Sequence, residues 1–244
     1  MKNFISLFLA TALVFSLAAC GAKETRESNF SETPGNNYAV SEQKAQNNNS
    51  SQMITSGTGS PSEEQSSNIL VAYFSWSDNA ILADDVDAVS SPNVIPPGNV
   101  QQLAGWVQEE TGGDLFSIRV TDPYPSDWDE CLERANHERS DNARPALAEN
   151  VDNLDQYDTI FLGYPNWWYG VPMALLSFLE QNDLSGKQVY LFCSHGTGGL
   201  ANSVELIAEA TPQAVISDNI FDCYEEEASS SQEDIKNWAA GLGY

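Results

Sequence analysis

The sequence predicts an α/β domain: a doubly wound, five-stranded parallel sheet of strand order 2-1-3-4-5 with helices on both faces. Three observations lead there. Short aliphatic runs recur from residue 68 onward, and they are continuous rather than alternating, as strands buried on both faces are. Amphipathic segments of helical length separate those runs. Strand, helix, strand in that alternation builds βαβ units, whose right-handed crossovers cover both faces of one parallel sheet.

The elements follow in chain order. Ile69-Leu70-Val71-Ala72-Tyr73-Phe74 supplies the first strand. Val100, Leu103, Ala104 and Val107 then fall at i, i+3, i+4 and i+7, the apolar face of a helix starting near Asn99 and stopped by Gly112-Gly113. Leu115-Phe116-Ser117-Ile118 is the second strand. Trp128, Cys131, Leu132 and Ala135 repeat the helical spacing, with Ser126 as a plausible N-cap and acidic residues in the first turn. Ile160-Phe161-Leu162-Gly163 is the third strand, and Pro172 suits the start of the helix carrying Met173, Leu176 and Leu179. Gly186 precedes the fourth strand, Val189-Tyr190-Leu191-Phe192-Cys193. Leu200, Val204, Ile207 and Ala208 form the next apolar helical face, and Ala214-Val215-Ile216 completes the five strands. Ile235, Trp238, Ala239 and Leu242 mark a last helix with Ser231 as its N-cap.

Ahead of this domain, 68–244, stand two segments of other character. Lys2 and Asn3 open the chain, Phe4 to Leu17 is apolar but short for a membrane span, and Leu17-Ala18-Ala19-Cys20-Gly21 follows. That is a secretory signal, and its end resembles the bacterial lipobox, which implies cleavage before Cys20 and lipidation of its thiol. The competing reading is an ordinary signal peptide with a chance cysteine. Residues 21–67 are rich in Asn, Ser, Gln, Gly and Thr, with too few large apolar residues to offset the entropy of ordering. They read as a disordered polar tether. The chain is therefore expected at the cell membrane, lipid-anchored on the extracytoplasmic face, touching the membrane through that anchor only.

Of the 35 acidic residues six precede residue 68, leaving 29, and of the 10 basic ones four do, leaving six. A domain so acidic has no positive face for nucleic acid, and its field favours basic partners or cations. Cys131, Cys193 and Cys223 remain in it: an odd number, so at least one thiol is free or bonded between chains. No C-x-x-C spacing suggests a metal knuckle. The plainer reading is three small apolar side chains.

Ligands of such sheets sit at the carboxyl ends of the strands, beside the switch in strand order. Three loops meet there. The loop after the third strand is Gly163-Tyr164-Pro165-Asn166-Trp167-Trp168-Tyr169-Gly170-Val171-Pro172, whose planar side chains could stack on a heteroaromatic ring or simply pack over the sheet edge. The loop after the fourth is Ser194-His195-Gly196-Thr197-Gly198-Gly199-Leu200, which lets a ligand approach the backbone. Adjacent Ser194 and His195 do not make a hydrolase triad, and no G-x-S-x-G elbow exists.

Those two loops, together with Tyr73-Phe74-Ser75, Asp122-Pro123-Tyr124-Pro125 and Arg144-Pro145, resemble the flavodoxin-like family. The similarity is to the group that pairs G-Y-P-x-W-W with C-[ST]-H-G-x-x-G, and it spans Asn68 to Ile220. The resemblance implies a flavodoxin-like three-layer sandwich that binds FMN non-covalently. Pro165, Asn166, Trp167, Trp168, Tyr169 and Gly170 would lie along the isoalloxazine, with Trp167 or Trp168 stacking. Ser194, His195, Gly196, Thr197, Gly198 and Gly199 would line its other edge. In the family a turn close to S-x-[ST]-G-N-T holds the phosphate, and the residues in that place are Ser75-Trp76-Ser77-Asp78-Asn79-Ala80. Ser75, Ser77 and Asn79 match; Asp78 stands in place of glycine and Ala80 in place of the last hydroxyl. A further segment, Ile81 to Pro97 with Asp84, Asp85 and Asp87, delays the helix. Either phosphate binding is weakened, or Asp78 points outward and Gly98-Asn99-Val100 supply donors. The acidic cluster could alternatively coordinate Ca²⁺, though without EF-hand spacing.

Two functions follow. One is an FMN-dependent redox protein outside the cytoplasm, an electron carrier or a small reductase, whose acidic surface favours a basic redox partner. In it no side chain need act as acid or base. The other is a non-enzymatic ligand- or protein-binding lipoprotein on a flavodoxin scaffold with a degenerate phosphate loop.

Overall fold

The computed structural model describes residues 68–82 and 93–244. The chain divides into two units, Met1–Gly59 and Ser60–Tyr244, and every described residue belongs to the second. The signal segment, Cys20, the tether and Asp84, Asp85 and Asp87 lie outside the described residues. No helix among the described residues is long and apolar enough to cross a membrane.

The elements run β1 (Ile69–Tyr73), β2 (Ala80–Ile81), α1 (Asn99–Thr111), β3 (Asp114–Ser117), β4 (Tyr124–Pro125) and α2 (Trp128–Ser140). They continue with β5 (Thr159–Pro165), α3 (Met173–Gln181), β6 (Gln188–His195), α4 (Ser203–Ala210), β7 (Val215–Ile216), β8 (Phe221–Tyr224) and α5 (Gln232–Gly241). The main sheet is parallel, in the order β3-β1-β5-β6 with β7 and β8 both on the outer side of β6. This is the 2-1-3-4-5 arrangement, its fifth place shared by two short strands. β7 pairs with Gln188 and Val189, and β8 pairs with Phe192 to His195. Between them Ser217-Asp218-Asn219 leaves the edge, with Ser217 Oγ accepting from the Asn219 amide at 3.1 Å. Short side chains that bond their own backbone favour such a break. It explains why the reading of Ala214-Val215-Ile216 as a whole strand missed the part nearer the site.

Strand parity divides the core in two. Leu70, Ala72, Ile160, Leu162, Tyr164, Val189 and Leu191 face the layer holding α2, α3 and α4. Ile69, Val71, Tyr73, Phe161 and Phe192 face α1 and α5, meeting Leu103, Val107 and Ile235. Period-2 alternation in strands that read as continuous apolar runs is what burial on both faces requires. One expected cap shifts: Asp127, not Ser126, caps α2, its carboxylate accepting from the Glu130 amide at 3.0 Å. Ser231 precedes α5 as expected, but its hydroxyl donates back to the Glu227 carbonyl at 2.9 Å instead of capping. A small second sheet, β2 with β4, was not anticipated; it forms because the chain turns away after Asn79 rather than entering a helix.

Candidate functional site

The loop after β1 is held by its own polar side chains. Asn79 is the clamp: its amide nitrogen donates to the carbonyls of Ser75 at 2.8 Å and Ile118 at 3.0 Å, and its oxygen accepts from the Val120 amide at 2.8 Å. With its polar atoms engaged, Asn79 shapes the loop. The hydroxyls of Ser75 and Ser77 lie 2.8 Å apart, both residues buried. After the long detour through β2, the chain returns to this loop at Gly98, whose amide donates to Ser77 Oγ at 3.1 Å. A Cβ on Gly98 would stand 2.6 to 2.7 Å from Ser77 Oγ, the Asn93 carbonyl oxygen and Ser75 Oγ. Only glycine lets α1 begin so close to the two hydroxyls. The first amide of α1 used within the helix is that of Gln102, bonded to the Gly98 carbonyl at 3.0 Å. The amides of Asn99, Val100 and Gln101 have no acceptor among the described residues. Such amides and the helix dipole together favour an anion.

Asp78 is held by two hydroxyl donors. Its carboxylate accepts from Tyr73 Oη at 2.7 Å and Ser117 Oγ at 2.6 Å, at the ends of β1 and β3. Burial, then the hydrogen bond and charge of Asp78, push the Tyr73 phenol well above its usual range, so it stays a donor. Two hydroxyl donors on one of its oxygens offset part of the charge that would oppose an anion beside α1. Ala80, in the other departing position, opens β2.

The loop after β5 is a tight turn. The Gly170 amide bonds the Trp167 carbonyl at 3.0 Å, and Trp168 and Tyr169 have φ of 55° and 60°. Two left-handed residues in succession make a type I′ turn, a geometry that favours Asn-Gly. Bulky residues there cost on the order of 1–3 kcal/mol each, and such strain gathers at functional sites. The two adjacent tryptophans have different fates. Trp167 packs edge-on against Phe74 and Tyr124, both at 5.4 Å, and Trp76 at 6.4 Å. Trp168 is half-buried and Tyr169 is 65% exposed, so these two rings are the outward ones. Pro165 ends β5 opposite Ser194, and Gly170 is buried against Leu206.

The loop after β6 is braced against that turn. Asn166 donates its amide side chain to the Gly199 carbonyl and its backbone amide to the Ser194 carbonyl at 2.9 Å. The Tyr169 carbonyl accepts from the Asn202 amide at 3.1 Å, and a Cβ on Gly198 would lie 2.9 Å from the Tyr169 ring. Ser194 is the junction of all three loops, since its hydroxyl also accepts from the Asn99 side chain at 3.2 Å. Gly196 and Thr197 lie at the outer end of the loop, Thr197 exposed. His195 orders the loop: its ring nitrogens lie 2.9 Å from the Gly196 carbonyl and 2.8 Å from the Asp222 carboxylate. The segment after β8 contributes what the sequence reading missed. The Glu225 backbone accepts from the Asn99 side chain at 2.7 Å, and its carboxylate accepts from Asn93 at 2.9 Å. Only the edge-strand break hides this contribution, because the apolar signal of β8 is confined to four residues.

Cys131, Cys193 and Cys223 are buried thiols that form no disulfide among the described residues. Burial pushes Cys131 up to about 12 and Cys223 up to about 11, and raises Cys193 further. They act as small apolar side chains, not nucleophiles.

Three loops converging at the carboxyl ends of a 2-1-3-4-5 sheet, with free amides at the start of α1, define the class of flavodoxin-fold proteins. The chain belongs to the flavodoxin family, whose model matches residues 86–242. Two solved structures are similar to it. One, from Bacteroides eggerthii DSM 20697 and provisionally described as a flavoprotein, is 26% identical with a TM-score of 0.54, covering 72% of this chain and 98% of that one. The other, from Bacteroides uniformis ATCC 8492 and described in the same way, is 26% identical with a TM-score of 0.55, covering 72% and 99%. No curated protein matches the chain.

Proposed function

We propose that this chain is an FMN-binding flavoprotein that transfers electrons outside the cytoplasm, held at the membrane by a lipid on Cys20. The observation that carries the reading is the cradle around Gly98. Two serine hydroxyls and three unused amides surround a point where no Cβ fits, and every donor is neutral. That donor set suits a phosphate dianion. Ser75 and Ser77, now bonded to each other and, from Ser77, to Gln101 Oε1, would turn a hydroxyl to the phosphate. The family membership and the flavoprotein description of the two similar structures agree with this reading.

The ring would be held by the turn at Trp168 and Tyr169 and by the loop from Ser194 to Gly199. Asn166 fixes the spacing of those two segments, and His195 holds the glycine loop through Gly196 and Asp222. FMN, when bound, supplies one- or two-electron transfer; the chain supplies position, exclusion of water and electrostatic tuning. The acidic surround would oppose added negative charge and lower the potential.

The second reading, a binding module without flavin, is favoured by one observation: Ser75 Oγ lies 2.8 Å from Ser77 Oγ and Ser77 Oγ donates to Gln101 Oε1 at 3.3 Å, so both hydroxyls have partners without a ligand. A visible spectrum separates the two. The redox reading expects flavin absorbance in the purified protein, or saturable quenching of added FMN fluorescence. Colourless protein that takes up no FMN would overturn it. Labelling with a radioactive fatty acid tests the anchor: label is expected in the wild type and absent from Cys20→Ser, and unlabelled wild type would remove the anchor.

A further inference from the structure

We propose that a groove along α2 is a binding site for a small amphiphilic organic anion, with a flat apolar body against tryptophans and an acidic head on Arg139. The site adjoins the proposed ring site, sharing Trp168 and Tyr169 with it, and extends from there along α2.

Two cavities support it. The first, of about 130 Å³, is walled by Trp76, Trp128, Trp167 and Trp168, four of the six tryptophans in the chain. Its other walls are apolar side chains of α2 and Asn166, whose amide nitrogen is already engaged with Gly199. The second, of about 280 Å³, shares Trp167 and Trp168 with the first and is lined by Arg139 and Asn202. Residues 128, 131, 132 and 135 of α2 line the first cavity and 139 the second. This spacing of i, i+3, i+4, i+7 and i+11 is a single stripe on a helix. The stripe spans about 16 Å at 1.5 Å per residue. One helical face therefore presents an aromatic end and a cationic end, with Trp168 between them.

The chemistry of each end selects the ligand. Trp128 is 47% exposed although it lies among three other indoles, an arrangement unfavourable in water without an apolar occupant. At the far end Arg139 is unusual for this molecule. Arg119, Arg134, Arg144 and Lys236 each pair with a carboxylate, and Lys187 donates to two carbonyls. The exposed Arg139 side chain has no hydrogen bond or ion pair among the described residues, in a domain with 29 acidic residues to choose from. Among the described residues, three of the five non-glycine residues with positive φ, Asn142, Trp168 and Tyr169, line the same cavity as Arg139. Strain gathered around an unpaired guanidinium suits recognition of a carboxylate, sulfonate or phosphate.

Calorimetric titration of the full-length protein tests this with three probes: naphthalene-2-sulfonate, its uncharged analogue 2-naphthalenemethanol, and methanesulfonate. The sulfonated arene is expected to bind at least tenfold tighter than the uncharged one, and methanesulfonate not measurably. Arg139→Gln should abolish that tenfold preference while leaving 2-naphthalenemethanol and FMN uptake unchanged. Trp128→Ala should weaken both arenes at least fivefold, with circular dichroism confirming that each variant is folded. Absence of naphthalene-2-sulfonate binding at millimolar concentration, or a preference that survives Arg139→Gln, would overturn the proposal. FMN uptake, read separately by fluorescence, tells whether the flavin reading stands or falls with it.

Discussion

At the scale of single residues, the site is governed by what each polar atom already holds. Asp78 gives one carboxylate oxygen to two hydroxyl donors, Tyr73 and Ser117, which an amide oxygen could accept equally. Asp78→Asn is therefore expected to change FMN affinity by less than about threefold, or 0.6 kcal/mol. A marked tightening in a fluorescence titration would mean that the carboxylate opposes the phosphate after all. Trp168 and Tyr169 occupy a turn made for Asn-Gly. Replacing them by Asn and Gly should relieve about 1–3 kcal/mol of strain per residue and raise the Tm by several degrees. The same double replacement should abolish FMN uptake, because both outward rings are lost. Melting curves and flavin titration on one sample check both halves. The sequence showed these residues but not their division of labour. That Ser75, Ser77 and Asn79 belong to one loop was legible from their spacing. That Asn79 is consumed by the Ile118 carbonyl and the Val120 amide, and that Trp167 turns into a cluster with Phe74 and Tyr124, depends on partners 39 to 93 residues away.

At the scale of elements, the return of α1 to the loop after β1 matters most. Between Asn79 and Asn99 the chain makes β2, pairs it with β4 and comes back at Gly98. The sequence disclosed the interruption and offered the start of the helix as an alternative donor. It could not disclose that Gly98 stands within 2.7 Å of both hydroxyls for any added Cβ. Gly98→Val should push α1 off the loop and lower FMN affinity at least tenfold while riboflavin, which lacks the phosphate, is affected less than twofold. Equal losses for the two ligands would argue for a general distortion. Strand existence was legible wherever both faces are buried, as in β1, β5 and β6, because the apolar run is then unbroken. It failed at the edge, where β7 and β8 share one place and Asp222 and Tyr224 project into polar surroundings.

At the scale of the whole molecule, acidity and buried thiols set the response to pH. Burial raises Cys131 from the ordinary 9.0 to about 12 and Cys223 to about 11. The folded state thus favours the neutral thiols. Their contribution is complete below pH 9 and is lost as pH rises toward 11 and 12. The Tm should be flat between pH 7 and 8.5 and fall above about 9, and native protein should resist alkylation at pH 8. Rapid alkylation of any of the three at pH 8 without loss of structure would contradict the burial. The strong negative charge of the domain also means that any phosphate must be held by local neutral donors against an unfavourable field.

Whether neutral donors hold the phosphate against this field is tested by parallel titrations of the protein with FMN and with riboflavin at low ionic strength. If the hydroxyls of Ser75 and Ser77 and the opening amides of α1 receive the phosphate, FMN binds at least tenfold tighter, a difference of about 1.4 kcal/mol. Equal affinity for the two, or tighter binding of riboflavin, would contradict it.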